Sequence, residues 1–165
     1  MLDVLLIILS WILMHIWVDA DACPRVIKDI LYRAAIRTKI PMTLVANQPL
    51  TVPMSPFIKK RLVGSGFDVA DNEIIQQATP GELVITADIP LADAVVHKGC
   101  TALDPRGELY TQKNIKERLS IRNLNAELRG AGMISGGPPT LSKKEIATFA
   151  NSLDKYLTQM KHQNV

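Results

Sequence analysis

Cysteine and histidine are scarce in this chain, and neither is grouped. Cys23 and Cys100 stand far apart with no CxxC or Cys/His spacing around them, which excludes a disulfide framework and a structural zinc site and suits a reducing cytoplasm. His15, His97 and His162 form no recognisable set around Cys23. The thiol activation that a helix N-terminus can provide there has no general base to serve, so a small buried side chain is the better account of this cysteine. Aromatic residues make up only 5%, few for the stacking platforms that single-strand binders use. Strong charge of either sign is missing too: a formal +3 permits nucleic acid without requiring it. No apolar run reaches the ~20 residues that span a bilayer as a helix.

The longest apolar stretch runs from Val4 to Val18, broken by Ser10 and His15. No basic residue precedes it, as one would in a signal peptide, and cleavage at Ala20-Asp21-Ala22 would remove Asp19. Residues 1–13 read first as an apolar extension upstream of a start at Met14, with an extra packed segment and a membrane role as the alternatives. A single domain over 14–165, with no need of a membrane, is expected. At 165 residues, 47% hydrophobic and 21% charged, the chain has the size and composition of one globular domain with a full core. Its oligomeric state is not legible.

Strand and helix patterns alternate about four times. Ile16 to Val18 reads as a buried strand, and Pro24 suits the first helical position, ahead of Val26, Ile27, Ile30, Leu31, Ala34 and Ala35 at helical spacing. A strand at 42–47 precedes "QPLTVPMSP", whose three prolines mark a loop. Phe57 to Val63 reads as a short basic helix, "FDVAD" (67–71) as a strand, "NEIIQQA" as a helix and "LVITAD" (83–88) as the clearest strand of all. A helix from Leu91 to Lys98 closed by Gly99, a strand at 100–104 and a turn or hairpin at "PRGELY" follow. Lys113 to Arg129 is a longer helix. Four glycines and two prolines over 130–139 make a loop, and Ser142 with Glu145 forms a capping box for a last helix. Such alternation predicts an α/β fold with a mostly parallel central sheet and helices on both faces.

Aspartates concentrate at the predicted carboxyl ends of these strands: Asp19 and Asp21 after the first, Asp71 after the third, Asp88 after the fourth, and Asp93 one turn into the following helix. Ligands of open α/β sheets bind beyond those ends. Convergent carboxylates form a hard-oxygen site, which selects Mg²⁺ or Mn²⁺ and serves phosphodiester hydrolysis. Asp21, Asp71 and Asp88 each also suit a helix N-cap, and Asp93 a solvated helix face. The doubled Asp19-x-Asp21 exceeds what one cap requires: in an extended backbone both side chains point the same way, and like charges so close need a cation, a proton or open water. Basic candidates for phosphate contact are Arg25, the cluster Lys59, Lys60 and Arg61, and Arg106 in the turn after the fifth strand. The bland alternatives are a solvated face and a simple Pro-Arg-Gly turn.

The segments "WVDADACP", "LVANQ", "GFDVADNEI", "LVITADIPLA", "PRGELY" and "GGPP" resemble the bacterial YaiI/YqxD family, most closely its YaiI branch, from Met14 to about Leu157. The resemblance implies a PIN-like three-layer α/β/α fold and a kinship with metal-dependent ribonucleases. In that pattern Asp19 matches the acid after the first strand, and "TADIPLAD" supplies Thr86, Asp88, Leu91 and Asp93. Asp71 or Glu73 matches the middle acid, and Asp21 is an addition. The expectation is a cytoplasmic Mg²⁺- or Mn²⁺-dependent nuclease acting on RNA. Asp19, Asp88 and Asp93 would hold the metal, Asp21 and Asp71 would complete the catalytic set, and the basic residues would meet phosphates. Two other readings compete: a non-catalytic PIN-like module that binds RNA or protein, and a haloacid-dehalogenase-type phosphohydrolase with Asp19 as nucleophile and Asp21 as acid/base.

Overall fold

The apolar run after Met14 becomes β1 (Ile16–Asp19), and every residue of it is buried because it takes the middle of the sheet. The computed structural model describes residues 4–5, 14–66, 68–137 and 139–163. The other strands are β2 (Met42–Ala46), β3 (Ile58–Leu62), β4 (Leu83–Ile85), β5 (Thr101–Leu103) and β6 (Leu109–Tyr110), in the order β3-β2-β1-β4-β5-β6. All neighbours run parallel except β5 and β6, which form the antiparallel hairpin expected from "PRGELY". The helices are α1 (Arg25–Thr38), α2 (Val69–Gln77), α3 (Ile89–His97), α4 (Ile115–Gly130) and α5 (Lys143–Gln163).

Alternation along the strands builds two cores, because successive side chains leave a strand on opposite faces. Ile16, Val18, Leu44 and Ile85 pack with Ile27 and Leu31 of α1 and with Phe149 and Leu153 of α5. Trp17, Val45 and Val84 pack with Ile74 of α2, Leu91 and Val95 of α3 and Ile115 of α4. The result is the three-layer α/β/α architecture.

Three local expectations need correction. Phe57 to Val63 is not a helix: residues 58–62 form β3, paired with β2 from Met42↔Ile58 to Ala46↔Leu62. Lysine and arginine carry no strong local preference for strand, and pairing with β2 decides the matter. "FDVAD" is not a strand. Asp68 takes a left-handed conformation (φ 64°) and Val69 opens α2, so Asp71 lies in a first helical turn rather than at a strand end; Phe67 lies outside the described residues. Pro24 precedes the first helical residue, as the N-cap of α1, where its carbonyl accepts the N–H groups of Ile27 and Lys28. Of the expected N-terminal extension only Val4 and Leu5 are described, helical and exposed; the rest of it lies outside the described residues. Among the described residues no helix is long and apolar enough to cross a membrane.

The hairpin turn before β6 is clamped to α5. The capping box forms as expected, with Ser142 N–H donating to Glu145 and Glu145 N–H donating to Ser142 Oγ, both at 3.1 Å. Glu145 also receives Arg106 at 2.6 Å, and Ser152 Oγ donates to the Gly107 carbonyl at 2.8 Å. Gly107 has φ 98°, and a Cβ there would stand 2.6 Å from Thr148 Cγ2 and 2.8 Å from the Phe149 nitrogen. Backbone conformation and close approach both demand glycine. Gly107→Ala is expected to destabilise the protein by roughly 2–4 kcal/mol, read as a lower urea midpoint; a loss under about 0.5 kcal/mol would contradict this packing.

Candidate functional site

The order of strands reverses beside β1. Its neighbour β2 follows directly through α1, whereas β4, on the other side, is reached only after β3 and α2. Connections leaving β1 and β4 in opposite directions open a crevice beyond their carboxyl ends. Asp19, the last residue of β1, shares the parity of Trp17 and so faces the α2/α3 side of that crevice, only 7% exposed.

Thr86 ties the two central strand ends together. It is 1% exposed; its hydroxyl donates to Asp19 Oδ2 and accepts the Asp88 N–H, each at 3.0 Å. Asp88 is the N-cap of α3, taking the Leu91 N–H on Oδ1 at 3.0 Å, as its sequence context suggested. Asp71 enters from the first turn of α2. Burial pushes the Asp71 carboxyl up to about 7, and the charges of Asp19, Asp88 and Asp68 and a carboxyl hydrogen bond with Asp88 push the same way. Asp19 is raised as well, first by burial and then by Asp88 and Asp21, with the Thr86 hydroxyl opposing. Three carboxyls from three elements thus repel one another in one crevice.

Other expected residues lie elsewhere. Asp21 does not follow Asp19 in an extended backbone: β1 stops at Asp19, a turn begins, and the exposed Asp21 carboxylate accepts the Asn47 N–H at 2.8 Å, linking the ends of β1 and β2. Asp93 is not among the charges that act on Asp19 or Asp71. Its Oδ1 stands 3.2 Å from His97 Nδ1, but the ring nitrogen makes its hydrogen bond to the Asp93 carbonyl at 2.8 Å, leaving Oδ1 buried without one. Glu73 pairs with Arg61 at 2.6 Å, so Asp71 is the acid that α2 brings to the crevice. Asp68 was missed in the sequence, because "FDVAD" read as a strand hid the helix entry.

Among the basic residues, Arg25 is exposed in the first turn of α1, just past β1. Lys59, Lys60 and Arg61 lie on β3, two strands away from Asp19. Arg106 is engaged by Glu145 and the Pro139 carbonyl. Burial pushes the Cys23 thiol up to about 12, which keeps it protonated and suits a core residue rather than a nucleophile.

Among the described residues no three His, Cys, Asp or Glu side chains form a ready-made metal cage. The chemistry of the donors still fits a hard divalent cation: Asp19, Asp71 and Asp88 offer oxygen only, and a cation between them would offset the repulsion that adds to burial in raising Asp71.

Burial and that repulsion together make stability depend on pH. A carboxyl raised from 3.8 to about 7 binds a proton in the folded chain that the unfolded chain has released, so stability is lost as pH rises through that window. In metal-free buffer the melting temperature is expected to fall from pH 4 to pH 7 and then to level off from this group, with Asp71→Asn flattening the slope. An identical slope in the variant would contradict the assignment.

Comparison with known proteins supplies the family. The family model described as "Uncharacterized BCR, YaiI/YqxD family" matches residues 17–159. The chain is 60% identical to a UPF0178 protein of Maridesulfovibrio salexigens over 146 residues, 88% of this chain and 97% of the relative. It is 60% identical to one of Shewanella amazonensis, covering 89% and 99% of the two chains, and 57% identical to one of Proteus mirabilis, covering 91% and 99%. No solved structure matches the chain significantly. With the family model covering most of its length and relatives this similar along nearly their whole chains, the protein belongs to the YaiI/YqxD family.

Proposed function

We propose that the crevice at the ends of β1 and β4 binds Mg²⁺ or Mn²⁺ and hydrolyses phosphodiesters, with RNA as the substrate class. The observation that carries this reading is the convergence of Asp19, Asp71 and Asp88 from three elements on one crevice, where burial first and the neighbouring carboxylates second raise Asp71 to about 7. A fold that holds like charges together at a crevice sacrifices stability there, and a cation would restore it. Asp19 and Asp88 are the residues to hold the ion, since the Thr86 hydroxyl positions one and the α3 N-terminus the other. When bound, the ion supplies Lewis acidity and neutralises charge on a phosphoryl oxygen. Asp71, poised near neutrality, accepts the proton of the attacking water. Arg25, exposed beside the crevice, meets a flanking phosphate, which makes binding weaken with salt. Asp21 adds negative charge at the mouth. RNA rests on the PIN-like resemblance and cytoplasmic location on the cysteine count.

One observation favours a second reading, a module that binds without turnover: the described residues contain no ready-made cage. The haloacid-dehalogenase alternative gains nothing from the geometry, because β1 ends at Asp19 and the Asp21 carboxylate, its acid/base, accepts the Asn47 N–H.

Calorimetric titration with Mn²⁺ of the wild type, Asp19→Asn and Asp88→Asn, followed by incubation with an end-labelled oligoribonucleotide, separates the readings. Saturable binding is expected in the wild type, weakened about tenfold or more in either variant, with strand cleavage that needs both aspartates. Metal binding without cleavage selects the non-catalytic module. Absence of metal binding by the folded wild type removes the proposal.

A further inference from the structure

The β2–β3 connection is unusual for a parallel pair. Such crossovers normally run through a helix that covers the sheet, but here residues 47–57 form a proline-containing loop in which Leu50 and Val52 pack onto the core and Met54 is fully exposed. Among the described residues β3 pairs with β2 alone, and none of them forms a strand on its outer edge. Met42 N–H donates to the Phe57 carbonyl and Val63 N–H to the Ala46 carbonyl. The backbone groups of residues 57, 59, 61 and 63 therefore face β2, and those of Ile58, Lys60 and Leu62 face outward. Only the Ile58 N–H is satisfied locally, by the Ser55 carbonyl.

The side chains along this edge are basic and apolar. Residues 59–62 are all exposed, and Leu62 is 64% exposed. Lys60 Nζ donates to the Leu50 carbonyl, which leaves its charge unneutralised, whereas Arg61 is paired with Glu73. No acidic residue occurs between Asn47 and Leu62. Hollows of about 380 Å³ and 680 Å³ flank the loop and share Lys60; Leu50 and Leu62 line the first, Val52, Met54 and Ile58 the second. Lysines on an edge strand commonly serve to prevent pairing between identical chains, and a second copy of β3 would bring lysines against lysines. That same charge selects the opposite partner, and exposed Leu62 and Met54 beside it are apolar contacts that prevention of pairing does not require.

We propose that β3 is a docking edge for an extended acidic peptide segment of a partner protein, which adds to the sheet as a seventh strand. Alternation along β3 dictates the pattern: acidic residues opposite Lys59 and Lys60, and an apolar residue opposite Leu62 that settles against the loop. Backbone hydrogen bonds to Lys60 and Leu62 provide the attachment, and the lysines select the sign of the charge. This surface is separate from the crevice and does not depend on the function proposed for it.

The test is fluorescence anisotropy of a short labelled peptide with two adjacent glutamates and, two positions on, a valine, titrated with the full chain. Saturable, salt-sensitive binding is expected, with no binding of a peptide in which lysines replace the glutamates. Leu62→Pro removes an outward donor and leaves the ladder with β2 in place, as an edge strand tolerates, and is expected to weaken binding about tenfold or more. Lys59→Glu/Lys60→Glu should do the same; circular dichroism verifies that each variant folds. Hydrogen exchange supplies an independent readout: peptide should protect the Lys60 and Leu62 amides. Absence of binding to the wild type overturns the proposal. So does binding unchanged by Leu62→Pro with no amide protection, or displacement of the peptide by a short single-stranded RNA that binds equally well to the proline variant.

Discussion

A single threonine hydroxyl organises the centre of this molecule. Thr86 reaches across from the end of β4 to Asp19 at the end of β1 and, through the same oxygen, takes the backbone N–H of Asp88. Buried hydroxyls are rigidly placed when both donor and acceptor capacity are used. The rotamer of Asp19 and the start of α3 are therefore set by the same atom. With those two carboxyls held, Asp71 arriving from α2 has no way to avoid them, and its raised proton affinity follows from position alone.

The sheet supports this arrangement at some distance. Full burial of β1 on both faces leaves Asp19 as its first polar residue, so the boundary between core and crevice falls at one carboxylate. The hairpin at the far end is secured to α5 by Arg106, Gly107 and Glu145, which explains why an arginine that looked available for phosphate works as a clamp. At the opposite edge, β3 is reached from β2 through a loop rather than a helix and carries the basic cluster Lys59, Lys60 and Arg61. The acidic crevice and the basic edge are two strands apart, on rigid elements of one sheet.

Much of this architecture is legible in the chain because it is local. The buried run of β1, the proline loop, the hairpin turn, the Ser142/Glu145 capping box and the Asp88 cap all rest on contacts within a few residues. β3 is not legible, since "IKKRL" acquires strand geometry only by completing the β2 ladder. Asp71 is hidden for a similar reason. Five alternating residues suit a strand as well as a helix entry, and only the left-handed turn at Asp68 separates the two.

By itself the sequence determined the class of fold, the central strand and the concentration of aspartates near strand ends, because periodicity and turn chemistry act over short separations. Only the tertiary structure decided which aspartates keep company. It turned Asp21 toward Asn47, left Asp93 beside His97, and gathered Asp19, Asp71 and Asp88 from three separate elements. Coulomb interaction depends on distance through space, and that distance is set by strand register and helix packing rather than by spacing along the chain.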